Sequence, residues 1–230
     1  MSIKTNIANM RCTVFTDKII PFNTSIESEI KKIFHERNLT SILLQEMQNI
    51  IVPNQMFQSW GFIENNQDFF QIRGNKIDLF ANSNFSNETD FCDYFFNSIS
   101  KISSLLKINI RRLAFAPTYT IDESFINQFI ELNFKIQKFG TSATQGFSLS
   151  RVFYRSENIE TFSYDINYNS NIVLQTLNPF PANMKKQIII EQDINTKDRG
   201  RQFFSGEEIK TFYKNISNLN ESYLQIFIGK

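Results

Sequence analysis

Cysteine and histidine are scarce in this chain of 230 residues, which has two cysteines and one histidine. Cys12 and Cys92 are too few for a disulfide framework or a cysteine-rich zinc site. The single histidine, His35, excludes chemistry that requires two imidazoles. Glycine is also scarce, with seven residues, and the sequence has no glycine-rich turn of the dinucleotide-binding or P-loop type. We therefore expect no nucleotide bound by either route, and no cofactor.

Net charge and long apolar runs are missing as well. The 24 basic and 23 acidic side chains leave a formal net charge of +1, which argues against a basic nucleic-acid coat. No apolar run reaches the roughly 18 residues that a membrane-spanning helix needs. Residues 1–6 are not followed by the apolar core of a signal peptide. We therefore expect a cytoplasmic protein with reduced thiols and no membrane association.

Apolar residues are plentiful by contrast. They make up 41% of the chain, which contains 25 phenylalanines. A charged fraction of 20% is too low for a disordered chain, and the length is sufficient to bury a large core. We expect a single α+β domain over 1–230, built on an antiparallel sheet with long amphipathic helices packed on one face.

The first half of the chain combines helices with an antiparallel meander. Thr24 and Glu27 have the spacing of a capping box at the start of one helix, and a second helix is predicted over 39–51. Asn87 is the predicted N-cap of a long helix with one apolar stripe. Strands are predicted over 10–18, 58–64, 68–73, 76–81 and 108–120.

The second half has a similar outline. A short helix is predicted over 123–132, and Ser205 with Glu208 forms a capping box before the terminal helix. Asn169-Ser170 has the composition of a tight hairpin turn. Strands are predicted over 147–155, 160–168, 171–176 and 186–194. Because each half ends in a strand group followed by one long helix, the pattern favours two pseudo-repeated lobes, 1–107 and 108–230.

Glu191 and Asp193 form the best acidic pair. Their spacing places both carboxylates on one face of a strand, with Lys197 close in sequence. Metal-dependent nucleases use clustered carboxylates and a lysine to hold Mg²⁺ and an attacking water, so this pair is the alternative metal site. The usual nuclease spacing, an acidic residue two positions before a lysine, is absent. A solvent-facing sheet surface explains the pair more simply.

Either cysteine together with His35 would provide a nucleophile and a base. Cys12, however, lies within an apolar strand, and Cys92 follows Phe91 on the apolar side of its helix. This placement is typical of buried structural thiols. No catalytic residue is predicted, and a non-enzymatic protein is favoured.

Basic residues are concentrated in a loop, at Lys197, Arg199 and Arg201, and in a strand, at Arg111-Arg112. Either group suits phosphate or an acidic partner. Neighbouring strand residues point to opposite faces, so only one of the two strand arginines joins any single site. Solvated or paired charges are the simpler explanation. The candidate binding set is Lys197, Arg199, Arg201, Arg111, Arg112, Phe203 and Phe204.

The phenylalanines permit a base-stacking hypothesis, as in proteins that bind single-stranded nucleic acid. Most of them fall on the apolar faces of predicted helices and strands, so a core explains them better. Adjacent pairs are harder to satisfy within one core, and a pair with both members exposed would mark a protein interface. The pairs are Phe69-Phe70, Phe95-Phe96 and Phe203-Phe204.

Five stretches follow one another in an order that is typical of a protein family. They are Ser59-Trp60-Gly61-Phe62, Lys76-Ile77-Asp78-Leu79, Phe91-Cys92-Asp93-Tyr94-Phe95, Ile110-Arg111-Arg112-Leu113 and Ile189-Ile190-Glu191-Gln192-Asp193-Ile194. This order resembles a sporadically distributed family of uncharacterised bacterial proteins. The resemblance implies a Trp-bearing meander and a closing amphipathic helix. It carries no site residues, and the patchy distribution is typical of mobile-element or phage-conflict cargo.

We therefore predict a non-enzymatic protein-interaction module. The resemblance implies a partner subunit in a bacterial antiviral defence or phage counter-defence system. Its partner would be another protein or a second copy of the chain. One alternative is a metal-dependent nuclease or nucleic-acid-binding protein that uses Glu191 and Asp193. Another is a sensor that binds a small ligand in a cavity between sheet and helix.

Overall fold

The computed structural model of this chain describes residues 3–47, 56–81, 85, 87–134, 148–176 and 186–228. The strands are β1 (Asn6–Thr16), β2 (Thr40–Met47), β3 (Met56–Glu64), β4 (Gln67–Arg73), β5 (Lys76–Ala81), β6 (Ile110–Ile121), β7 (Ser148–Ile159), β8 (Phe162–Thr176) and β9 (Lys186–Thr196). The helices are α1 (Thr24–Ile33), α2 (Glu88–Leu106), α3 (Ile126–Phe134), which follows a short 3₁₀ turn at Glu123–Phe125, and α4 (Gly206–Ile228).

These nine strands form one antiparallel sheet in the order β2-β3-β4-β5-β1-β6-β9-β8-β7. Strands β1 and β6, which come from different halves of the chain, pair with each other. The outer strands of the described sheet are β2 and β7. The predicted α+β class and antiparallel sheet are therefore confirmed. None of the helices in the described ranges is long and apolar enough to cross a membrane.

Side-chain caps fix where α2 and α4 begin. Asn87 accepts a hydrogen bond from the backbone N–H of Asp90 at 2.8 Å, as its predicted role as N-cap requires. At α4, the Ser205 hydroxyl accepts from the Glu208 N–H at 3.2 Å, and the Glu208 carboxylate accepts from the Ser205 N–H at 2.8 Å. This reciprocal pair is the predicted capping box.

The predicted cap of α1 is wrong by one residue. The side chain of Asn23, rather than that of Thr24, accepts hydrogen bonds from the backbone N–H groups of Ser25 and Ile26, at 2.9 and 3.2 Å. Asn23 has the extended backbone of an N-cap, with φ −151° and ψ 123°. Both residue types cap helices well, and the chain places the extended residue one position earlier than the spacing to Glu27 implies.

Helix α4 forms hydrogen bonds with β1 and β6 in the middle of the sheet. Tyr213 of α4 is fully buried, and its hydroxyl donates to the backbone oxygen of Thr13 in β1 at 2.7 Å. The same hydroxyl lies 3.2 Å from the backbone oxygen of Ala114 in β6. The Tyr213 ring meets Phe95 of α2 edge to face, with centroids 4.8 Å apart. The core therefore continues from the sheet into both long helices.

Most of the large, fully buried side chains are aromatic. Phe69 and Phe70 are both buried, and Phe95 is buried beside Phe96, which packs against the same core. Neither of these adjacent pairs therefore marks an interface. The fully buried phenylalanines are Phe34, Phe62, Phe70, Phe91, Phe95, Phe115, Phe129 and Phe212. The phenylalanine content mainly reflects the core.

The helix predicted over 39–51 is wrong for the residues described there. Thr40–Met47 is strand β2, paired with β3 from Thr40 opposite Ile63 to Met47 opposite Met56. The apolar residues of this segment are compatible with a helical stripe as well as with a strand. The unpaired edge of β3 decides between them, because pairing satisfies the backbone groups of both segments.

The hairpin predicted at Asn169-Ser170 is also wrong. Both residues lie inside β8, which runs without interruption from Phe162 to Thr176. The turn between β7 and β8 follows Ile159, which pairs with Phe162, and Glu160 has a positive φ of 54°. The asparagines of β8 alternate along a strand, where the turn preference of asparagine has no effect.

Glu88, in the first turn of α2, belongs to a buried polar cluster between helices and sheet. The hydroxyl of Tyr119 in β6 donates to the Glu88 carboxylate, and the Asn220 amide of α4 donates to its other oxygen at 3.3 Å. Burial raises the pKa of Glu88, and the two hydrogen bonds offset this only in part. The Asn220 side-chain oxygen is buried without a partner among the described residues.

We expect Glu88→Gln to stabilise the protein at neutral pH. A carboxyl whose pKa is raised on folding favours the folded state at low pH, and this contribution is lost as the pH rises through the folded-state pKa. The substituted amide keeps an acceptor for Tyr119, and once the Asn220 amide rotates by 180°, its N–H donates to the Asn220 oxygen. The free energy of unfolding should rise by about 1 kcal/mol at pH 8, with the gain shrinking toward pH 4. Urea unfolding at pH 8 and at pH 4 measures this gain in the free energy of unfolding. An equal gain at both pH values would contradict a raised pKa of Glu88 in the folded state.

Candidate functional site

One face of the second half of the sheet is polar, and we call it the polar face. It carries alternate side chains of β1, β6, β9 and β8, which the strand register places side by side. Asn9 lies opposite Thr118, which lies opposite Glu191. The members of the polar face are Asn9, Arg11, Arg112, Thr118, Asn167, Asn169, Asn171, Glu191, Asp193 and Asn195. The residues that alternate with them on these strands, such as Cys12, Phe115 and Ile194, are buried in the core.

The larger opening on this face, cleft 1, has a volume of about 540 Å³. Arg112 lines this cleft, and its guanidinium donates to the side-chain oxygen of Asn195 at 2.5 Å. The Arg112 guanidinium also stacks over the Phe15 ring, 4.9 Å from its centroid. Lys197 and Asp165 line the same cleft. The sequence predicted two of these residues, Arg112 and Lys197, as candidate binding residues, and the fold brings them to one cleft.

Cleft 2, of about 370 Å³, lies beside it and contains the predicted metal pair. Glu191 and Asp193 share the polar face, and the Asn171 amide donates to Glu191 at 3.2 Å. Arg11 lines the cleft as well. No group of three or more His, Cys, Asp or Glu side chains suited to a metal occurs within the described ranges. The expected common face is therefore confirmed, while the pair has no third carboxylate, histidine or cysteine ligand there.

Five buried polar atoms of polar-face residues lining the clefts lack a hydrogen-bond partner among the described residues. In cleft 1 they are Arg112 Nε, Asn167 Oδ1 and Asn195 Nδ2, and in cleft 2 they are Arg11 Nε and Asn169 Oδ1. The Arg11 Nε lies 3.9 Å from Asp78, which is too long for a hydrogen bond. Because buried polar atoms are nearly always paired in folded proteins, this concentration distinguishes the polar face.

Arg199 stabilises the start of α4 instead of joining a cleft with Arg112. Its guanidinium donates to Glu208 at 2.6 Å and lies 3.8 Å from the centroid of the Phe204 ring. Burial alone would raise the pKa of Glu208, but hydrogen bonds from the Ser205 backbone and from Arg199 hold it below the usual value. Phe204 is buried, and its ring stacks on Tyr164. These contacts give Arg199 and Phe204 a structural role.

The other predicted binding residues are dispersed. Arg111 lies 3.4 Å from Asp198, a different partner from that of Arg112. Arg201 is exposed, and Phe203 is 41% exposed beside the buried Phe204. Of the candidate set, Arg112 and Lys197 line cleft 1, and Arg111 pairs with Asp198. Arg199 and Phe204 combine their structural contacts with a place beside Lys197 in a smaller cleft of about 300 Å³. Arg201 and Phe203 are exposed in the loop before α4.

The cysteines and the histidine do not form a nucleophile–base pair. Cys12 and Cys92 are fully buried against each other, with sulfur atoms 3.9 Å apart, and both are free thiols. Burial raises the pKa of the Cys12 thiol well above its ordinary value, so it is not a thiolate at neutral pH. His35 lies at the exposed end of α1, near Glu36. The expectation of buried structural thiols is confirmed.

Sequence reasoning missed the asparagines of the polar face. Asn167, Asn169 and Asn171 alternate along β8, and Asn195 of β9 lies opposite Asn167. The only signal was this spacing of two, which a turn assignment at Asn169-Ser170 concealed. The sequence around Asn195 gives no local signal, because its role comes from a hydrogen bond with Arg112, which is 83 residues away along the chain.

No protein-family model, curated protein or solved structure matches this chain. The resemblance to a bacterial family therefore stays a prediction. Any inference about function rests on the polar face and its two clefts.

Proposed function

We propose that this chain is a non-enzymatic binding protein and that a partner protein docks on its polar face. The five buried polar atoms without described partners on the polar face carry the proposal. They include donors and acceptors on four adjacent strands. A polypeptide offers both N–H and C=O groups along its length, so it suits a surface with both needs.

The charges of the clefts favour a protein over a nucleic acid. Cleft 1 is lined by three basic and two acidic side chains, and cleft 2 by one basic and two acidic side chains. A phosphate backbone requires an excess of positive charge, which this balanced surface lacks. Neighbouring patches of opposite sign suit a partner protein with complementary charges. The residues are Arg112, Arg155, Lys197, Asp165 and Asp198 in cleft 1, and Arg11, Glu191 and Asp193 in cleft 2.

Exposed apolar side chains at the border of the polar face support the same function. On the outer strand β7, Tyr154 is 79% exposed and Val152 is 56% exposed. They lie opposite Asn167 and Asn169, so they share the polar face. Tyrosine is enriched in protein interfaces because its ring buries a large area while its hydroxyl still forms hydrogen bonds.

We also infer the finer architecture predicted from the sequence, with lobes 1–107 and 108–230 and the long helices on the face opposite the polar face. The order of elements supports this inference. Each half begins with a central strand, β1 or β6, and continues with a helix, α1 or α3. Each half then adds outer strands and ends in a long helix, α2 or α4. The polar face would then begin at the junction of the lobes.

The partner we propose belongs to a bacterial antiviral defence or phage counter-defence system, as the resemblance implies. The nuclease alternative is weaker because Glu191 and Asp193 lack a third carboxylate, histidine or cysteine nearby in the described chain. The sensor alternative is weaker for clefts 1 and 2, because they lie on the sheet face, whereas the sequence predicted a cavity between sheet and helix.

Site-specific photocrosslinking tests the proposal. Tyr154 is replaced by a benzoyl-phenylalanine in the native host, and Ile226 of α4, which is 58% exposed, is replaced in the same way as the control. We expect a defined protein adduct from position 154 and none from position 226. The adduct should resist nuclease treatment. It should also differ from a crosslinked pair of this chain, either by a mass above that of two copies or by peptides that this chain does not contain.

Three outcomes would contradict the proposed function. A nuclease-sensitive adduct would indicate nucleic acid, and an adduct with a second copy of the chain would indicate a homo-oligomer. Equal adducts from both positions would show that the polar face is not selective. Cleavage of labelled DNA or RNA in Mg²⁺ that is lost in Glu191→Ala would support the nuclease instead.

A further inference from the structure

We infer that cleft 1 binds an oxyanion, a carboxylate or phosphate group that the partner carries, through Arg112, Asn195 and Lys197. This inference rests on the proposed function, because cleft 1 belongs to the polar face. It adds the chemical class of the group that enters the cleft. Cleft 1 contains donors without a hydrogen-bond partner and positive charges without an ion pair among the described residues.

Arg112 is held in place and keeps a free donor. One terminal nitrogen bonds the Asn195 oxygen at 2.5 Å, and the guanidinium packs on the Phe15 ring. Its Nε is buried without a hydrogen-bond partner, and no carboxylate of the described chain pairs with the guanidinium. A guanidinium fixed by stacking and by one hydrogen bond is prepared to bind an oxyanion with its remaining N–H groups.

Asn195 supplies a second free donor. The residue is 2% exposed, and its Oδ1 is used by Arg112. The Nδ2 group is buried and has no hydrogen-bond partner in the described chain, and the residue lines the cleft. Such a donor is costly to leave unpaired, so a ligand oxygen in cleft 1 would satisfy it.

Lys197 adds a second positive charge to the lining of the cleft. Its backbone N–H donates to the backbone oxygen of Asp165 at 2.7 Å, which fixes the start of the side chain beside the cleft. The exposed ammonium group has no ion pair among the described residues. A lysine in this position neutralises an incoming anion without requiring a fixed geometry.

The acidic residues of cleft 1 are already engaged. Asp165 accepts a hydrogen bond from the Ser156 hydroxyl at 2.6 Å. Asp198 lies 3.4 Å from Arg111 and accepts from the Gly200 N–H at 2.7 Å. Arg155 pairs with Glu157 at 3.1 Å, so the charges of the cleft without an ion pair in the described chain are Arg112, Lys197 and Asp165, and they leave a local excess of one positive charge for an anion.

Asn167 favours an oxyanion that is accompanied by an N–H group. Its Oδ1 is buried without a described partner, and it lies opposite Asn195 on the neighbouring strand. The cleft thus offers an acceptor beside the donors. The terminal carboxylate of a peptide, with its own amide N–H, uses both, whereas inorganic phosphate uses mainly the donors.

Calorimetric titration of the purified chain at constant ionic strength tests the inference. The probes are N-acetylglycinate, which mimics a peptide C-terminus, and inorganic phosphate, with chloride as the baseline. We expect dissociation constants of roughly millimolar size for at least one probe. Arg112→Gln and Asn195→Asp should weaken binding at least about tenfold. Lys214→Gln, which removes a positive charge from the exposed side of α4, should leave it unchanged.

Asn195→Asp keeps an acceptor for Arg112, removes the free donor and adds a negative charge beside the guanidinium. The last two changes should both weaken anion binding, so the variant remains informative if Arg112→Gln fails to fold. Binding of the carboxylate alone or of phosphate alone supports the inference and names the group. No binding of either probe, or binding that Asn195→Asp leaves unchanged, overturns it. The crosslink from position 154 separates the proposals, because a protein adduct without oxyanion binding rejects only this inference. Oxyanion binding without an adduct rejects the docking function.

Discussion

Gly61→Ala should destabilise the protein by at least about 3 kcal/mol, enough to remove much of the stability of a typical domain. Gly61 lies in β3 opposite Gln71 of β4, next to a register shift between the two strands. A Cβ atom there would lie 2.0 Å from the backbone oxygen of Phe70 and 2.8 Å from the Cα atom of Gln71. Backbone atoms inside a sheet cannot move aside cheaply, so β3 and β4 would have to separate.

Gly206→Ala is the matched control, because it makes the same chemical change at the start of α4. A Cβ atom there meets nothing within 4 Å. The substitution should change the free energy of unfolding by less than about 1 kcal/mol, and toward greater stability, since alanine favours the helix. Urea unfolding monitored by circular dichroism compares the two variants. Equal stabilities would show that β3 and β4 do not approach each other as closely as described.

The long helices were predictable because their signals are local. The caps of α2 and α4 lie within three residues of the groups that they bond, at Asn87 and at the Ser205–Glu208 box. The apolar stripes repeat within one element, so a short window of sequence contains the whole pattern. Strand β5 was equally predictable from the sequence, and its observed bounds, Lys76–Ala81, equal the predicted ones.

Strand β2 and the β7–β8 hairpin were not predictable in the same way. The state of β2 depends on pairing with β3, and the same apolar residues would suit a helix. The length of β8 depends on its pairing with both β7 and β9, which holds Asn169-Ser170 in the strand. The secondary structure of such segments depends on pairing with strands that are distant in sequence, and this pairing overrides the local turn preference.

The candidate site shows the same division. Arg112 and Lys197 were found because basic residues are visible in a sequence. Whether a basic residue is free depends on distant carboxylates, and Arg111 and Arg199 proved to be paired with Asp198 and Glu208. The asparagine donors and acceptors of the polar face become a site only when four strands are placed side by side. No spacing within one strand contains that information.

Phe34→Ala tests the conclusion that the phenylalanines mainly form the core. Phe34 ends α1 and is fully buried. Its ring centroid lies 5.2 Å from that of Phe69, 5.4 Å from that of Phe70 and 6.3 Å from that of Tyr94. The substitution should cost about 3 to 5 kcal/mol, because it removes the buried ring and leaves a cavity that the rigid neighbouring rings cannot fill.

Phe203→Ala is the control with the same change of side chain. Phe203 is 41% exposed, so its removal should alter the free energy of unfolding by no more than about 1 kcal/mol. Phe34→Leu keeps most of the volume and should fall between the two alanine variants. If Phe34→Ala and Phe203→Ala had similar effects, the aromatic cluster around α1 would not contribute to the core. The ordering Phe203→Ala, Phe34→Leu, Phe34→Ala is what a cluster packed through ring contacts requires.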